Sequence, residues 1–178
     1  MKAVFLDRDG TINIDVGYLS DPGDFVFIRG AREAVETLKK KGFKIFVITN
    51  QSGVGRGYFS KEDLEAVNKK MSEEFEKGGV KLDGIYSCVH RSDEQCDCRK
   101  PNPSVVLKLA KKHKIDLKNS YFIGDKLTDV KTGFNAGCKT VLVSTGENVS
   151  IEEEEDWIQP DFLAEDLQEA VEWIVGEK

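Results

Sequence analysis

Carboxylate side chains follow two short apolar runs of the sequence, and their positions could support metal-assisted chemistry. Asp7 and Asp9 come directly after residues 3–6, and Asp125 comes shortly after residues 121–123. Like charges concentrated at one edge of a sheet are costly unless a cation neutralises them. Hard oxygen ligands of this kind suit Mg²⁺. We therefore predict that Asp7, Asp9 and Asp125 bind Mg²⁺.

A second group of residues has the composition of a zinc site. Cys88, His90, Cys96 and Cys98 supply three thiols and one imidazole within eleven positions of the sequence, and this ligand set suits tetrahedral Zn²⁺. Four protein ligands leave no open position, so the predicted zinc is structural rather than catalytic. Reduced core cysteines and a disulfide are the alternatives. Cys138 lies beyond the group and is predicted to be a small core residue.

These residues need a scaffold that brings strand ends together. Short apolar, β-branched runs occur at residues 3–6, 43–48, 85–89, 121–123 and 140–143. Helical patterns lie at residues 31–41, 61–77, 104–114, 128–136 and 163–175. Strands that alternate with helices predict an α/β fold, a doubly wound parallel β-sheet with helices on both faces. For Asp7 and Asp125 to share an ion, the first and fourth strands must be neighbours.

The length and charge of the chain limit its function class. The 178 residues predict one domain, residues 1–178, and the interval between Asn50 and Lys100 is too short for a separate cap domain. The net charge of -6 argues against a nonspecific nucleic-acid binder, because phosphate backbones are held by stripes of Lys and Arg. No apolar run has the length of a secretory signal or a membrane span. We therefore expect a cytoplasmic monomer with no nucleic-acid or membrane partner.

Residues near the C-terminus receive no chemical role. The acidic run at residues 152–156 is shorter than typical interaction tails and predicts the solvated start of a helix. Trp157 and Trp173 are predicted to be packing residues.

Four motifs at the ends of the predicted strands resemble those of the haloacid-dehalogenase (HAD)-like hydrolases and occur in that family's order. They are Asp7-x-Asp9-Gly10-Thr11, Thr49-Asn50, Lys100-Pro101 and Gly124-Asp125-x-x-x-Asp129. The resemblance implies a Rossmann-like core. It also implies that Asp7 attacks a phosphoryl group, while Asp9 serves first as general acid and then as general base.

This implied chemistry is physically reasonable. A carboxylate nucleophile divides one difficult displacement into two easier ones through an aspartyl-phosphate, provided that cations neutralise the phosphoryl charge. Thr49 and Lys100 would donate to the phosphoryl oxygens. Asp125 would complete the Mg²⁺ site, and Asp129 would support that site from behind its ligands.

Within the superfamily, residues 3–146 resemble the heptose-bisphosphate phosphatases of the lipopolysaccharide and S-layer sugar pathway. The resemblance implies removal of the C7 phosphate of D-glycero-D-manno-heptose 1,7-bisphosphate, a small phosphosugar, to give heptose 1-phosphate. The implied substrate contacts are Asp15, Val16, Gly17, Tyr18, Thr49, Asn50, Gln51, Ser52, Arg99, Lys100 and Lys126. Arg56 is added because a bisphosphate attracts positive groups.

One departure keeps a second substrate open. Only five residues separate His90 from Cys96, and this short loop resembles the related histidinol-phosphate phosphatases. The segments Asp15-x-Gly17-Tyr18 and Gln51-Ser52-Gly53 match the heptose branch better. A noncatalytic phosphosugar-binding module is a third hypothesis, but such a module does not need Asp9 as a general acid and base.

Overall fold

The computed structural model describes residues 1–146 and 158–176, and these form one parallel sheet flanked by helices. The strands are β1 (Ala3–Leu6), β2 (Lys44–Asn50), β3 (Gly84–Cys88), β4 (Tyr121–Gly124), β5 (Lys139–Val143) and β6 (Phe162–Ala164). The helices are α1 (Ala31–Lys40), α2 (Ser52–Gly55), α3 (Lys61–Lys77), α4 (Ser104–His113), α5 (Leu127–Ala136) and α6 (Leu167–Gly176). Strand order is β3-β2-β1-β4-β5-β6. The predicted fold class is confirmed.

Local sequence signals account for the bounds of α3. The Ser60 hydroxyl accepts from the Asp63 backbone N–H at 3.1 Å, and the Asp63 carboxylate accepts from the Ser60 N–H at 2.8 Å. This reciprocal capping box satisfies backbone donors that have no partner within the helix. Gly78 follows the last residue of the helix. The observed span, Lys61–Lys77, is the one predicted.

The sheet is buried on both faces, and β1 shows how. Its residues alternate, so Val4 and Leu6 join one core cluster while Ala3 and Phe5 join another. The first cluster receives the apolar faces of α1, α3 and α6, and the second receives that of α4. Cys138 is buried in the second cluster, as predicted. Among the described helices, none combines the length and the apolar character that crossing a membrane requires.

The C-terminal prediction was partly wrong. The helix predicted for residues 163–175 begins only at Leu167, and Phe162–Ala164 form the edge strand β6. Pairing with β5 decides this, together with a 2.7 Å hydrogen bond from the Thr140 N–H to Asp161 Oδ2. Trp173 stacks on the Phe162 ring with centroids 5.0 Å apart, as expected of a packing residue. The acidic run 152–156 and Trp157 lie outside the described residues.

The carboxyl ends of β1 and β4 lie side by side. Val4 is paired with Tyr121 and Leu6 with Ile123 in parallel register. The Asp7 N–H continues the ladder by donating to the Ile123 carbonyl at 3.0 Å. The predicted adjacency of the first and fourth strands is therefore confirmed. Strand β2 lies on one side of β1 and strand β4 on the other, so the strand order reverses between β1 and β4. Ligand crevices form at such points in open α/β sheets.

Candidate active site

Three buried carboxylates meet at this edge of the sheet. Asp7 follows β1, Asp125 follows β4, and Asp129 lies in the first turn of α5. One oxygen atom from each lies within 4.8 Å of those from the other two. Carboxylates this close repel one another in a buried environment, where water screens them poorly. The group has the donor atoms of a Mg²⁺ site. Asp129 belongs to this group together with the predicted ligands Asp7 and Asp125.

Lys100 contacts two carboxylates of this group. Its Nζ lies 2.8 Å from Asp7 Oδ1 and 2.6 Å from Asp129 Oδ1, and its side chain is only 2% exposed. Burial opposes its charge, but the attraction of Asp129 and Asp7 outweighs burial and raises the pKa of Lys100. The ammonium group is therefore charged at neutral pH. It can contact Asp7 and an anionic group bound beside Asp7.

The pKa of Asp129 indicates that the three-carboxylate group would accept a further cation. Burial raises the pKa of Asp129 to about 7, with Asp7 and Asp125 contributing, although Lys100 lowers it. A divalent cation among the three oxygens would reverse this by favouring the charged form. The donor set and its surplus of negative charge both fit Mg²⁺.

Two glycines enclose the Asp125 carboxylate. Gly10 has φ of +80°, and a Cβ atom there would collide with Asp125. A Cβ atom on Gly146 would collide with the same carboxylate. The Thr145 hydroxyl donates to the Gly10 carbonyl at 2.6 Å, which joins the two segments. The backbone therefore packs closely against the Asp125 carboxylate, and this explains Gly10 in the first motif.

The carboxylate of Asp9 is not part of the three-carboxylate group and is held by side-chain donors. Asn13 donates to Oδ1 at 2.9 Å and Gln51 donates to Oδ2 at 2.7 Å. Arg8 donates to both oxygens, at 3.2 and 2.9 Å. Burial opposes the charge, but Arg8 and these hydrogen bonds hold the pKa of Asp9 below its usual value. The prediction that Asp9 binds Mg²⁺ stays a prediction, since its carboxylate oxygens bind other partners.

Side chains at the end of β2 organise the site. Thr49 is buried, and its Oγ1 accepts from Gln51 Nε2 at 2.9 Å. Asn50 accepts from the Lys100 N–H at 3.1 Å and donates to the Lys100 carbonyl at 3.2 Å. Asn50 therefore fixes the backbone that presents Lys100. Gln51 and Asn50, both predicted as substrate contacts, have these intramolecular partners in the structure.

The site opens into a cleft of about 610 Å³ that most of the predicted residues line. From the predicted set, the lining includes Asp7, Asp9, Asp15, Gly17, Tyr18, Thr49, Asn50, Gln51, Ser52, Arg99, Lys100 and Lys126. Val16 and Arg56 are exposed and are not among the lining residues. Ser92 and Thr128 also line the cleft and had not been predicted. In the sequence, Ser92 lies between the predicted zinc ligands His90 and Cys96, and Thr128 lies between Asp125 and Asp129. These positions could have identified both residues.

The four residues of the predicted zinc site come together beside this cleft. The Cys88 and Cys98 sulfurs are 2.9 Å apart, and Cys96 Sγ lies 3.8 Å from Cys88 Sγ and 3.9 Å from Cys98 Sγ. His90 Nδ1 lies 3.5 and 3.3 Å from Cys88 and Cys98. A tetrahedral site with Zn–S of about 2.3 Å and Zn–N of about 2.0–2.1 Å has edges of about 3.8 and 3.5 Å. Both distances from Cys96 Sγ and both from His90 Nδ1 match those edges, while the distance between Cys88 and Cys98 is shorter. All four cysteines of the chain are free thiols.

Hydrogen bonds attach this cluster to the cleft. The Gln51 N–H donates to the Cys88 carbonyl at 2.6 Å, and the Gly55 N–H donates to the Val89 carbonyl at 3.1 Å. Arg99 Nη1 donates to the His90 carbonyl at 3.1 Å. Two segments of the cleft wall, one starting at Gln51 and one ending at Arg99, therefore rest on the Cys/His loop.

Comparisons with known proteins agree with this geometry. A HAD-hydrolase-like family model matches residues 97–170. Relatives in Helicobacter pylori strain J99 and Pasteurella multocida both carry the name D-glycero-beta-D-manno-heptose-1,7-bisphosphate 7-phosphatase. The first is 44% identical over 174 residues and 97% of each chain. The second is 40% identical over 184 residues, 99% of this chain and 98% of the relative.

A solved structure extends the likeness to three dimensions. It is that of a D,D-heptose 1,7-bisphosphate phosphatase from B. bronchiseptica complexed with magnesium and phosphate. It is 31% identical to this chain, covers all of both chains and superposes with a TM-score of 0.92. With the ordered motifs, the strand-end carboxylates and the two relatives, these findings place the chain in the D-glycero-beta-D-manno-heptose-1,7-bisphosphate 7-phosphatase family of the HAD-like hydrolases.

Proposed function

We propose that this chain is a Mg²⁺-dependent phosphatase that removes the C7 phosphate of D-glycero-β-D-manno-heptose 1,7-bisphosphate. The observation that carries the proposal is the meeting of Asp7, Asp125, Asp129 and Lys100 beside a cleft that Asp7, Asp9 and Lys100 line. The names of the relatives support the substrate and the β anomer. They do not favour histidinol phosphate.

Asp7 and Asp9 divide the reaction into two balanced steps. Asp7 attacks the phosphorus atom while Asp9, which must carry a proton once the phosphoryl group is bound, gives that proton to the departing C7 oxygen, and this leaves an aspartyl-phosphate and the heptose 1-phosphate alcohol. Asp9, now a carboxylate, takes a proton from water as the water oxygen attacks phosphorus. Inorganic phosphate leaves and the Asp7 carboxylate is restored. Lys100, between Asp7 and Asp129, stabilises the charge on the phosphoryl oxygens.

Asp7 and Asp125 would hold Mg²⁺, with Asp129 beside them, and the ion would neutralise phosphoryl charge when bound. The magnesium and phosphate in the related crystal structure support this assignment. The proposal also keeps Asp9 as a Mg²⁺ ligand, as the sequence predicts.

The outer part of the cleft would take the second phosphate and the sugar. Arg99 lines it with one nitrogen on the His90 carbonyl. Lys126 Nζ lies 3.4 Å from Asp15 Oδ2 across it, and Tyr18 forms part of its wall. Guanidinium and ammonium groups suit the distal phosphate, while carboxylate and phenol groups suit sugar hydroxyls.

We also propose that Cys88, His90, Cys96 and Cys98 hold one structural Zn²⁺. The S···S and S···N distances above support it, as does the chemistry of three thiols with one imidazole. The ion would fix the loop on which Arg99 and the backbone of Gln51 rest.

A phosphate-release assay with Mg²⁺ tests the function. We expect the β anomer of heptose 1,7-bisphosphate to give the highest kcat/KM, ahead of the α anomer and of histidinol phosphate. Asp7→Asn is the control, because it removes the nucleophile and should abolish turnover of all three. Preference for histidinol phosphate, or turnover by Asp7→Asn at the wild-type rate, would contradict the proposal.

A further inference from the structure

Arg8 is a fully buried side chain inside the first motif. Its side chain is 0% exposed, while the Asp9 side chain beside it is 13% exposed. Arg8 is not among the residues lining the cleft. Substrate in the cleft would therefore meet Asp9 and not Arg8. Any effect of Arg8 on the reaction must act through another group.

The guanidinium of Arg8 donates to both carboxylate oxygens of Asp9, whereas each of the other side-chain donors contacts only one. Nε donates to Oδ1 at 3.2 Å and Nη2 donates to Oδ2 at 2.9 Å. Asn13 and Gln51 each donate to one carboxylate oxygen. The torsion that rotates a carboxylate has a broad, roughly two-fold minimum, so the donors on its two oxygens set its orientation. A planar fork bound to both oxygens fixes that rotation.

The fork is itself anchored. Arg8 Nη1 donates to Asn68 Oδ1 at 3.0 Å, and Asn68 lies on α3. Asn68 Nδ2 donates in turn to the Ser87 hydroxyl on β3 at 3.2 Å. A chain of hydrogen bonds therefore runs from the carboxylate of Asp9 through Arg8 and Asn68 to the strand that ends at Cys88. The alternative is that Asp9 and Asn68 merely satisfy a buried guanidinium.

We propose that Arg8, anchored by Asn68, is a positioning residue that aims the Asp9 carboxyl at the leaving oxygen of the substrate. The inference rests on the acid role of Asp9 in the proposed function. In that step the proton of Asp9 moves to the departing oxygen while the P–O bond breaks. A misplacement of about 1 Å at such a group can cost about 10²-fold in rate.

The leaving group separates positioning from structural support. The heptose bisphosphate expels an alkoxide, which needs a proton, while p-nitrophenyl phosphate expels a stable phenolate, which does not. The measured quantity is the ratio of kcat/KM for the two esters, because kcat/KM covers the steps through loss of the leaving group and omits the shared hydrolysis of the aspartyl-phosphate. A variant that only unfolds part of the sample lowers both rates equally and leaves this ratio unchanged.

Arg8→Lys keeps the charge and loses the planar fork. We expect the kcat/KM ratio of heptose bisphosphate to p-nitrophenyl phosphate to fall about 10- to 100-fold. Asn68→Leu should lower the ratio in the same direction by removing the acceptor of Arg8. Asn68→Asp keeps an acceptor oxygen at that position and should restore the ratio. If Arg8→Lys fails to fold, the two Asn68 variants decide.

The outcomes separate this inference from the function beneath it. If Asp9→Asn leaves the ratio at its wild-type value, the acid role in the proposed function is wrong. If Asp9→Asn lowers the ratio while Arg8→Lys and Asn68→Leu keep or raise it, the positioning role of Arg8 is wrong. A rise in KM with an unchanged ratio would place Arg8 in substrate binding and also overturn the inference.

Discussion

Arg99 and Lys100 are neighbours in the sequence but have different surroundings. Lys100 is buried between Asp7 and Asp129. Arg99 is half-buried in the wall of the cleft and uses one nitrogen on the His90 carbonyl. Its planar group keeps further donors that can bind an anionic or hydroxyl-rich part of a ligand. At the scale of single residues, we therefore expect Lys100 to bind the reacting phosphate and Arg99 to recognise the distal part of the substrate.

Arg99→Ala should penalise the bisphosphate more than a small phosphate monoester. Losing a hydrogen bond to a charged partner costs about 1.5–3 kcal/mol, so kcat/KM for heptose bisphosphate should fall about 10- to 100-fold. The rate with p-nitrophenyl phosphate should change much less. Arg91→Ala is the matched control, because Arg91 lies exposed on the same loop and pairs with Asp93. An equal fall with both esters would assign Arg99 to the common chemical step.

At the scale of elements, the Cys/His loop supports two walls of the cleft. The Cys88 carbonyl accepts from the Gln51 N–H, and the His90 carbonyl accepts from Arg99. Gln51 in turn donates to Asp9. Burial raises the pKa of the Cys88 thiol to about 12, with the Cys98 thiol contributing. A bound cation would favour the thiolate, so metal binding should release protons and stabilise the loop.

Loss of a zinc ligand tests whether metal binding stabilises the Cys/His loop and the cleft. Protein prepared without chelator should contain one zinc per chain by elemental analysis. Cys96→Ser should lose the zinc, lower Tm and reduce kcat/KM. Cys138→Ser is the control, because Cys138 is buried in a core cluster on one face of the sheet and should leave the zinc content unchanged. Zinc well below one equivalent in wild-type protein with all thiols free would refute the site.

At the scale of the whole molecule, half-buried charges join distant parts of the chain. Asp83 precedes β3 and accepts from Lys39 on α1 at 2.8 Å and from Lys44 on β2 at 2.7 Å. It also accepts from the Ile45 N–H at 2.8 Å. Burial opposes the charge, but these donors hold the pKa of Asp83 below its usual value. One carboxylate thus ties a helix to the sheet. The single domain and the monomeric state stay predictions.

Asp83→Asn should lower the free energy of unfolding by about 1–3 kcal/mol at neutral pH, since it removes the charged acceptor. A lowered folded-state pKa stabilises the fold above the unfolded value of about 3.9, and this contribution is lost as pH falls through the folded pKa. The difference from wild type should therefore shrink below about pH 4. Urea titrations at several pH values measure it. Glu36→Gln, at an exposed pair with Lys40, should have little effect at any pH; a pH-independent difference for Asp83→Asn would contradict this account.

The sequence by itself determined what depends on neighbours along the chain. The capping pair of Ser60 and Asp63 and the final Gly78 set the bounds of α3. Apolar runs that end in Asp7 and Asp125 predicted both the strands and the carboxylates at their ends. These signals are local, because caps and strand patterns act over a few residues.

Only the tertiary structure decided what depends on partners far apart in sequence. β6 exists because β5 offers a pairing edge. Lys100 reaches Asp7 from 93 positions away, and Arg8 gains its anchor from Asn68 on α3, 60 positions away. Burial and ion pairing arise when such segments pack together, and no local pattern in the sequence encodes which side chains will then meet.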